Sequence, residues 1–182
     1  MAEKTTLLNA SAVQRALTRM AHEIAEKNEP SKDVVLVGVQ TGGIHLARRL
    51  AGVLTGIWGH SVPVGTLDVS MHRDDVGQQI APNVHPTEIS FDVNGKTVVL
   101  VDDVLFSGRT TRAAMDALND LGRARQVQLA VLIDRGHREL PIKADFVGKN
   151  VPTSVQERIE VHLEEATGRD SVYLEKAGAH RP

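Results

Sequence analysis

Two adjacent carboxylates followed by a turn of small residues are the part of the sequence with the clearest chemistry. Asp102 and Asp103 come directly after the apolar run 98–101. The turn 107–111 then offers consecutive backbone N–H groups and three hydroxyls at the start of a predicted helix, which suits a phosphate group. Gly108 lets the backbone of this turn approach a ligand closely.

A ribose 5-phosphate accounts for both halves of this pattern. Its vicinal hydroxyls, or a Mg²⁺ ion on the same ligand, would meet the two carboxylates, and its phosphate would meet the turn. The alternative is a strand that ends in solvated acids, followed by an ordinary Ser/Thr helix cap. The segment contains neither Gly-Lys-Ser/Thr nor G-x-G-x-x-G, so it is not a Walker loop or a dinucleotide fingerprint.

A second turn with two glycines follows the first apolar run of the chain. Thr41, Gly42 and Gly43 come after the run 34–39. Two glycines permit a backbone that points its amides at an anion. A plain strand-to-helix turn is the alternative interpretation.

Alternating apolar runs and helical patterns must position these turns. Helices are predicted at 9–28, from 44 to about 54 and at 110–121, and strands at 34–39, 62–69, 97–101, 127–133, 146–147, 159–163 and 171–174. The polar stretch 70–90, which contains Pro82 and Pro86, has no pattern of its own and is predicted to be a mobile functional loop or an extended hairpin. The alternation predicts an α/β fold with an open, mostly parallel sheet flanked by helices, in a single domain over 1–182.

Composition excludes several classes of protein. The formal charge is −2, from 21 Lys and Arg against 23 Asp and Glu, which argues against non-specific nucleic-acid binding by a uniformly basic surface. There are no cysteines, which excludes disulfides, thiolate metal sites and a cysteine nucleophile. No apolar run reaches the length of a membrane span, and the first four residues lack an apolar signal core, so a cytoplasmic location is expected.

The first helix presents a polar face opposite its apolar stripe. Arg15, Thr18, Arg19 and His22 fall on one side, while the stripe 13, 17, 20 and 24 is predicted to be buried. A solvated helix face is the plain alternative.

The segment 98–110 resembles the signature by which type I phosphoribosyltransferases bind phosphoribosyl pyrophosphate (PRPP). Further segments, at 15–23, 72–75, 134–141 and 148–154, resemble the pyrimidine operon regulator (PyrR) family, and the likeness covers the chain from residue 8 to about 163. The resemblance implies a type I phosphoribosyltransferase fold in which 70–90 is a flexible hood loop. It also implies a bifunctional role, as a uracil phosphoribosyltransferase and a regulator of pyrimidine genes.

The implied reaction is uracil plus PRPP giving UMP plus pyrophosphate. Its catalytic residues would be Asp102, Asp103 and Arg73, with Mg²⁺ bound with PRPP and the two aspartates as its candidate protein ligands. The residues implied to bind PRPP or UMP are Thr41, Gly42, Gly43, Val104, Leu105, Phe106, Ser107, Gly108, Arg109, Thr110, Thr111 and Asp134.

Two positions depart from what relatives commonly carry. Family members commonly have arginine where this chain has Gly42, so an arginine contact to pyrophosphate or to a neighbouring subunit is missing here. Purine-using relatives typically carry an aspartate where this chain has Phe106. An apolar ring suits packing beside a small pyrimidine and counts against hypoxanthine or guanine.

The resemblance also implies that pyrimidine-operon leader RNA is a partner, bound in response to UMP or UTP. The residues implied to contact it are Arg15, Thr18, Arg19, His22, His137, Arg138 and Lys149. A uracil transferase without RNA binding and a nucleotide-sensing RNA regulator with weak or no catalysis remain the alternatives. A homodimer or a larger homo-oligomer is expected.

Overall fold

The computed structural model of the chain describes residues 2–28, 32–72 and 86–178. In chain order its elements are β1 (Lys4–Leu8), α1 (Ala10–Lys27), β2 (Val34–Val39), α2 (Gly42–Trp58), β3 (Val64–Leu67), β4 (Thr97–Leu105), α3 (Arg109–Asn119), β5 (Gln126–Asp134), β6 (Phe146–Asn150), β7 (Arg158–His162), α4 (Glu164–Thr167) and β8 (Ser171–Glu175). Among the described helices, none is both long and apolar enough to cross a membrane.

A five-stranded sheet in the order β3-β2-β4-β5-β6 confirms the predicted parallel α/β architecture. All four of its strand pairings are parallel. Every residue of β2 is buried, because α1 and α2 cover one face of the sheet and α3 covers the other. Two hydrophobic clusters, one on each side of the sheet, therefore form the core.

A separate antiparallel sheet, in the order β1-β8-β7, was not predicted. The strands predicted at 159–163 and 171–174 are present, but they pair with each other and with β1. The sequence analysis missed β1 because its first three residues, Lys4, Thr5 and Thr6, are exposed and polar, so no apolar run marks it. The single turn of α4 was missed as well.

Polar caps explain why the ends of the first helix were predictable and those of other elements less so. The Asn9 side chain accepts a hydrogen bond from the Ala12 amide at 2.9 Å, and Asn28 closes the helix by donating to the Ile24 carbonyl at 2.9 Å. The helix α2 instead continues one turn beyond the predicted end, to a left-handed C-cap at Gly59.

Strand β4 does not end at Val101, as predicted, but continues to Leu105. Its pairing with β2 does stop at Val101, opposite Gly38, whereas its pairing with β5 continues as far as Leu105, opposite Asp134. The two carboxylates are therefore held in a strand that has a neighbour on one side only.

The described ends of the predicted loop 70–90 are both attached to the domain. The His72 Nε2 atom lies 2.7 Å from the Asp120 Oδ2 atom after α3, and Glu88 pairs with Thr66 of β3 through two backbone hydrogen bonds of 2.9 Å. Arg73 and the rest of the loop as far as residue 85 lie outside the described residues.

A half-buried arginine joins the two sheets. The Arg49 guanidinium on α2 makes a bidentate contact with Asp170, at 2.6 and 2.8 Å, and another with Glu165, at 2.6 and 2.8 Å. Only 9 % of the Asp170 side chain is exposed, and Arg49 holds the pKa of this carboxyl below its usual value while its own pKa is raised. The segment that leads into β8 is thereby fixed to α2.

We expect Asp170→Asn to lower the free energy of unfolding at pH 7 by about 3 kcal/mol, because it removes one partner of a shielded ion pair. The folded chain binds the Asp170 proton less readily than the unfolded chain, so the stabilisation is present above the unfolded pKa and is lost as the pH falls through the folded one. Urea unfolding should therefore show the difference between wild type and variant shrinking from about pH 5 towards pH 3.

The matched control is Arg112→Gln, which breaks an exposed pair of 3.9 Å with Asp116 on α3. We expect this change to cost less than about 0.5 kcal/mol. An Asp170→Asn effect of the same size as the control, or one independent of pH, would contradict the role of the Arg49 contact.

Candidate active site

The two carboxylates lie where β4 has lost its neighbour on the β2 side. The Asp102 Oδ1 atom accepts a hydrogen bond from the Asp103 amide at 2.8 Å, and the Asp103 Oδ1 atom accepts one from the Val104 amide at 2.8 Å. Both side chains are half-buried. Hydrogen bonds from the backbone fix their orientation, so the strand presents them at the carboxyl end of the sheet, where ligands bind in open α/β folds.

The glycine turn after β2 lies directly against these carboxylates. A Cβ atom on Gly43 would lie 2.2 Å from the Val101 carbonyl oxygen, so only glycine allows the turn to approach β4 this closely. A Cβ atom on Gly42 would lie 2.6 Å from the Asp103 Oδ2 atom. The peptide bond between Gln40 and Thr41 at this turn is cis. The position at which relatives commonly carry arginine is thus in contact with Asp103 here.

The phosphate turn leads from β4 into α3. Gly108 has a φ of +91° and is the N-cap of α3, to which it offers no side chain, while the Ser107 hydroxyl accepts a hydrogen bond from the Arg109 amide at 3.3 Å. The positive end of the helix dipole therefore faces the turn, with a geometry suited to an anion. A pocket of about 210 Å³ is formed there by Asp102, Val104, Leu105, Phe106, Ser107, Gly108, Arg109, Thr110 and Thr111. The structure thus brings Asp102 and the predicted residues of the phosphate turn together in one pocket.

The segment 135–142, which we call the clamp, contacts the end of β4 and the first part of the phosphate turn, over residues 105–109. The Arg135 amide donates to the Leu105 carbonyl at 3.1 Å, and the amides of Glu139 and Leu140 donate to the Ser107 carbonyl at 2.9 and 3.2 Å. The side chain of Ile142 packs against Gly108, where an added Cβ would be 3.0 Å away. The clamp is thus the support that fixes the conformation of the turn.

Side chains of the clamp add ionic contacts to this backbone support. The Arg138 guanidinium donates to the carbonyls of Phe106 at 3.0 Å and of Ile142 at 2.8 Å, and pairs with Asp134 at 2.6 Å. Arg109 pairs with Glu139 at 2.7 Å. Asp134, predicted to bind substrate, and Arg138, predicted to bind RNA, therefore help to hold the turn. Their predicted contacts with these ligands stay predictions.

Arg135 is a member of this site that the sequence analysis did not single out. Its guanidinium carbon lies 4.2 Å from the centre of the Phe106 ring, while its Nε and Nη2 atoms donate to the Thr153 hydroxyl at 3.1 Å and the Ser154 carbonyl at 3.0 Å. His137 contacts the same ring edge-on, with the ring centres 6.2 Å apart, and donates from Nε2 to the Thr153 carbonyl. An arginine so soon after the apolar run of β5 was the sequence signal that could have identified it.

The polar face of α1 meets the edge of the sheet. The Arg19 guanidinium pairs with Glu23 at 2.8 Å and donates to the carbonyls of Val147, at 3.3 Å, and Gly148 on β6. Lys149 is the next residue of that strand and is exposed. Arg19 thus connects two of the segments predicted to contact RNA.

The other residues predicted on this helix face point outward or are half-buried. Arg15 and His22 are exposed and Thr18 is half-buried. Arg15 donates to the Ser11 hydroxyl at 2.7 Å, and the Thr18 hydroxyl donates to the Gln14 carbonyl at 3.0 Å. The helix α1 therefore presents a polar surface as expected, and its contact with RNA stays a prediction.

The two carboxylates suit a magnesium ion only if a bound substrate supplies further oxygen ligands. Within the part of the chain that the structure describes, no group of three or more His, Cys, Asp and Glu residues could hold a metal ion. Asp102 and Asp103 offer the hard oxygen atoms that Mg²⁺ prefers, and such ions commonly keep several waters and bind substrate phosphates. The site therefore suits an ion that arrives with a phosphate-bearing substrate.

Comparison with known proteins identifies the family of this chain. The family described as phosphoribosyl transferase domain matches residues 3–164. A protein named bifunctional protein PyrR from Chloroflexus aurantiacus is 54 % identical over 181 residues, which are 99 % of this chain and all of that protein. The protein of the same name from Thermus aquaticus is 56 % identical over 178 residues, 97 % of this chain and 98 % of the relative.

Solved structures agree on the fold. A hypoxanthine-guanine phosphoribosyltransferase from Bacillus anthracis superposes with a TM-score of 0.71 over 97 % of this chain and 99 % of that one, at 18 % identity. At this level of identity the likeness concerns the fold alone.

Proposed function

Because this chain belongs to the phosphoribosyl transferase family and, within it, to the bifunctional PyrR proteins, we propose that it converts uracil and PRPP into UMP and pyrophosphate and also regulates pyrimidine genes by binding leader RNA. The observation that carries the enzymatic part is the position of Asp102 and Asp103 between the glycine turn and the phosphate turn. The phosphate turn, the two carboxylates and the glycine turn lie at the same end of the sheet. They match the 5-phosphate, the diol and the pyrophosphate of PRPP, in that order.

Each part of PRPP has a chemical counterpart in the site. The 5-phosphate binds the N-terminal end of α3, where backbone amides and hydroxyls meet the helix dipole. The ribose hydroxyls donate to the carboxylates of Asp102 and Asp103. The pyrophosphate is proposed to lie at the glycine turn 41–43. This turn approaches β4 closely and lies beside Asp103.

The reaction breaks the bond from C1 of the ribose to the pyrophosphate oxygen and forms a bond from C1 to N1 of uracil. The proton lost from N1 is taken up by the released pyrophosphate. Catalysis rests on fixed positioning of the ribose and on electrostatic stabilisation of the departing pyrophosphate. Bound Mg²⁺ supplies positive charge to the pyrophosphate, and Asp102 and Asp103 are the residues that would hold it. Arg73 is proposed as a further pyrophosphate partner.

Phe106 favours a pyrimidine as the acceptor base. Its ring lines the pocket at the phosphate turn and offers an apolar surface without a proton acceptor. The uracil edge is proposed to be read near Asp134, where β5 ends beside Phe106.

The regulatory part of the proposal rests on α1 and β6. Arg15, Thr18, Arg19 and His22 share one helix face, and Arg19 connects this face to the strand that carries Lys149. Phosphate contacts and hydrogen bonds would hold a folded RNA loop, since the chain has few aromatic residues for base stacking. UMP or UTP in the active site would act as the effector, and a homodimer or larger homo-oligomer and a cytoplasmic location complete the proposal.

We expect Asp102→Asn combined with Asp103→Asn to reduce the turnover of uracil and PRPP by at least about a thousand-fold, because the diol and the ion lose both charged acceptors. The measurement is UMP formation from PRPP, Mg²⁺ and uracil. Circular dichroism should be unchanged, since both side chains are half-buried and the substitutions keep their size.

Asp116→Asn on the exposed side of α3 is the control for a lost carboxylate, and its turnover should match that of the wild type. Turnover by the double variant within about ten-fold of the wild type would contradict the assignment of the carboxylates to the ribose and the ion.

We expect Arg19→Gln combined with His22→Ala to weaken binding of the protein's own pyrimidine-operon leader RNA by about ten-fold or more, because charge is lost from the face that meets the phosphates. The turnover of uracil should stay within about two-fold, since α1 contributes no residue to the pocket. Filter binding in the presence of UMP measures the first quantity, and UMP formation measures the second.

Arg169→Gln, which removes the same charge from the exposed turn after α4, should leave RNA binding unchanged. An equal loss of RNA binding and catalysis in the α1 variant would show that this helix is only structural. Unchanged RNA binding by the variant would contradict the assignment of this helix face to RNA, whereas a wild-type chain that does not bind the RNA would favour a uracil transferase without RNA binding.

A further inference from the structure

We propose that Arg135 sets how tightly the site binds the base of its ligand, by holding the Phe106 ring in position from outside the pocket. This inference rests on the proposed function, because it concerns the base that the pocket accepts. It makes Arg135 a positioning residue, whose effect on the ligand passes through Phe106.

The burial of Arg135 shows that its position is specific. Only 7 % of the residue is exposed, and burial lowers the pKa of its guanidinium. In the described part of the chain its hydrogen-bond partners are neutral, namely the Thr153 hydroxyl and the Ser154 carbonyl. Glu157 acts on the guanidinium through charge alone and raises its pKa, but less than burial lowers it. A shielded guanidinium with no carboxylate among its hydrogen-bond partners is costly, so the contacts that it does make must offset this cost.

The stack with Phe106 is the contact that points towards the ligand. The guanidinium carbon lies 4.2 Å from the ring centre, within the range of a favourable cation–π contact. A planar guanidinium also covers an aromatic ring as a flat surface, which an ammonium group cannot do. The ring of Phe106 in turn lines the pocket at the phosphate turn, so Arg135 is one residue removed from the ligand.

The backbone holds both partners of the stack in register. The Arg135 amide donates to the carbonyl of Leu105, the residue directly before Phe106, at 3.1 Å. The Thr153 hydroxyl donates to the Arg135 carbonyl at 3.0 Å while accepting from its Nε atom at 3.1 Å. Arg135 is thus fixed at its main chain and at its side chain, and it presents its guanidinium to the Phe106 ring.

The test compares the dissociation constants of UMP and of ribose 5-phosphate, whose ratio isolates the contribution of the base. The Arg135→Met variant keeps most of the side-chain volume and removes the planar cation. We expect it to bind UMP about ten-fold more weakly and ribose 5-phosphate within about two-fold of the wild type, because only the base meets the ring. Isothermal titration calorimetry measures both constants.

A double-mutant cycle with Phe106→Leu separates positioning from a general structural role. If Arg135 acts through the ring, Arg135→Met should change the UMP to ribose 5-phosphate ratio less than about two-fold in the Phe106→Leu background. Arg135→Lys, which retains the charge and is the variant to use if Arg135→Met does not fold, should give an intermediate ratio.

Equal weakening of both ligands by Arg135→Met, or effects of the two substitutions that multiply, would overturn the proposal. The two claims can also fail separately. A wild-type chain that forms no UMP but shows the expected ratios would contradict the transferase and leave Arg135 as a positioning residue. A chain that turns over uracil with ratios unchanged by Arg135→Met would contradict this inference alone.

Discussion

The unequal pairing of β4 with its two neighbours is the constraint on which the site depends. On one side the pairing with β2 ends at Val101, and on the other the pairing with β5 continues to Leu105. Residues 102–105 are therefore ordered as a strand by β5, while their other edge is open to a ligand. This edge holds both carboxylates, and the turn after β2 bends over it because two glycines allow the approach.

The site holds a group that attracts anions and a pair of negative carboxylates at separate positions. The amide-rich N-terminus of α3 attracts a phosphate, and Asp102 and Asp103 accept hydroxyls or a cation, so a ligand must present both kinds of group in a fixed order. The clamp keeps the phosphate turn from collapsing towards the carboxylates, since its amides and the Arg138 side chain bind the carbonyls of the turn. Recognition therefore comes from spacing as much as from charge.

Local patterns made much of this arrangement predictable from the sequence. The bounds of β2 and α1 and the residues of the phosphate turn follow from apolar runs, asparagine caps and small residues that are neighbours in the chain. The clamp could not be derived in this way, because its contacts join residues about thirty positions apart and many of them use the backbone, which any sequence provides. The end of β4 was placed too early because Asp102 and Asp103 do not look like strand residues, although β5 holds them as such.

The measurement that tests this account most directly is product formation from PRPP and Mg²⁺ with uracil, hypoxanthine, guanine, adenine and orotate offered separately. The pocket bounded by Phe106 predicts turnover with uracil and none with hypoxanthine, guanine or adenine. Turnover with hypoxanthine or guanine would contradict the assignment of the base pocket. No turnover with any base, while UMP still binds, would contradict the transferase and leave a nucleotide-sensing regulator.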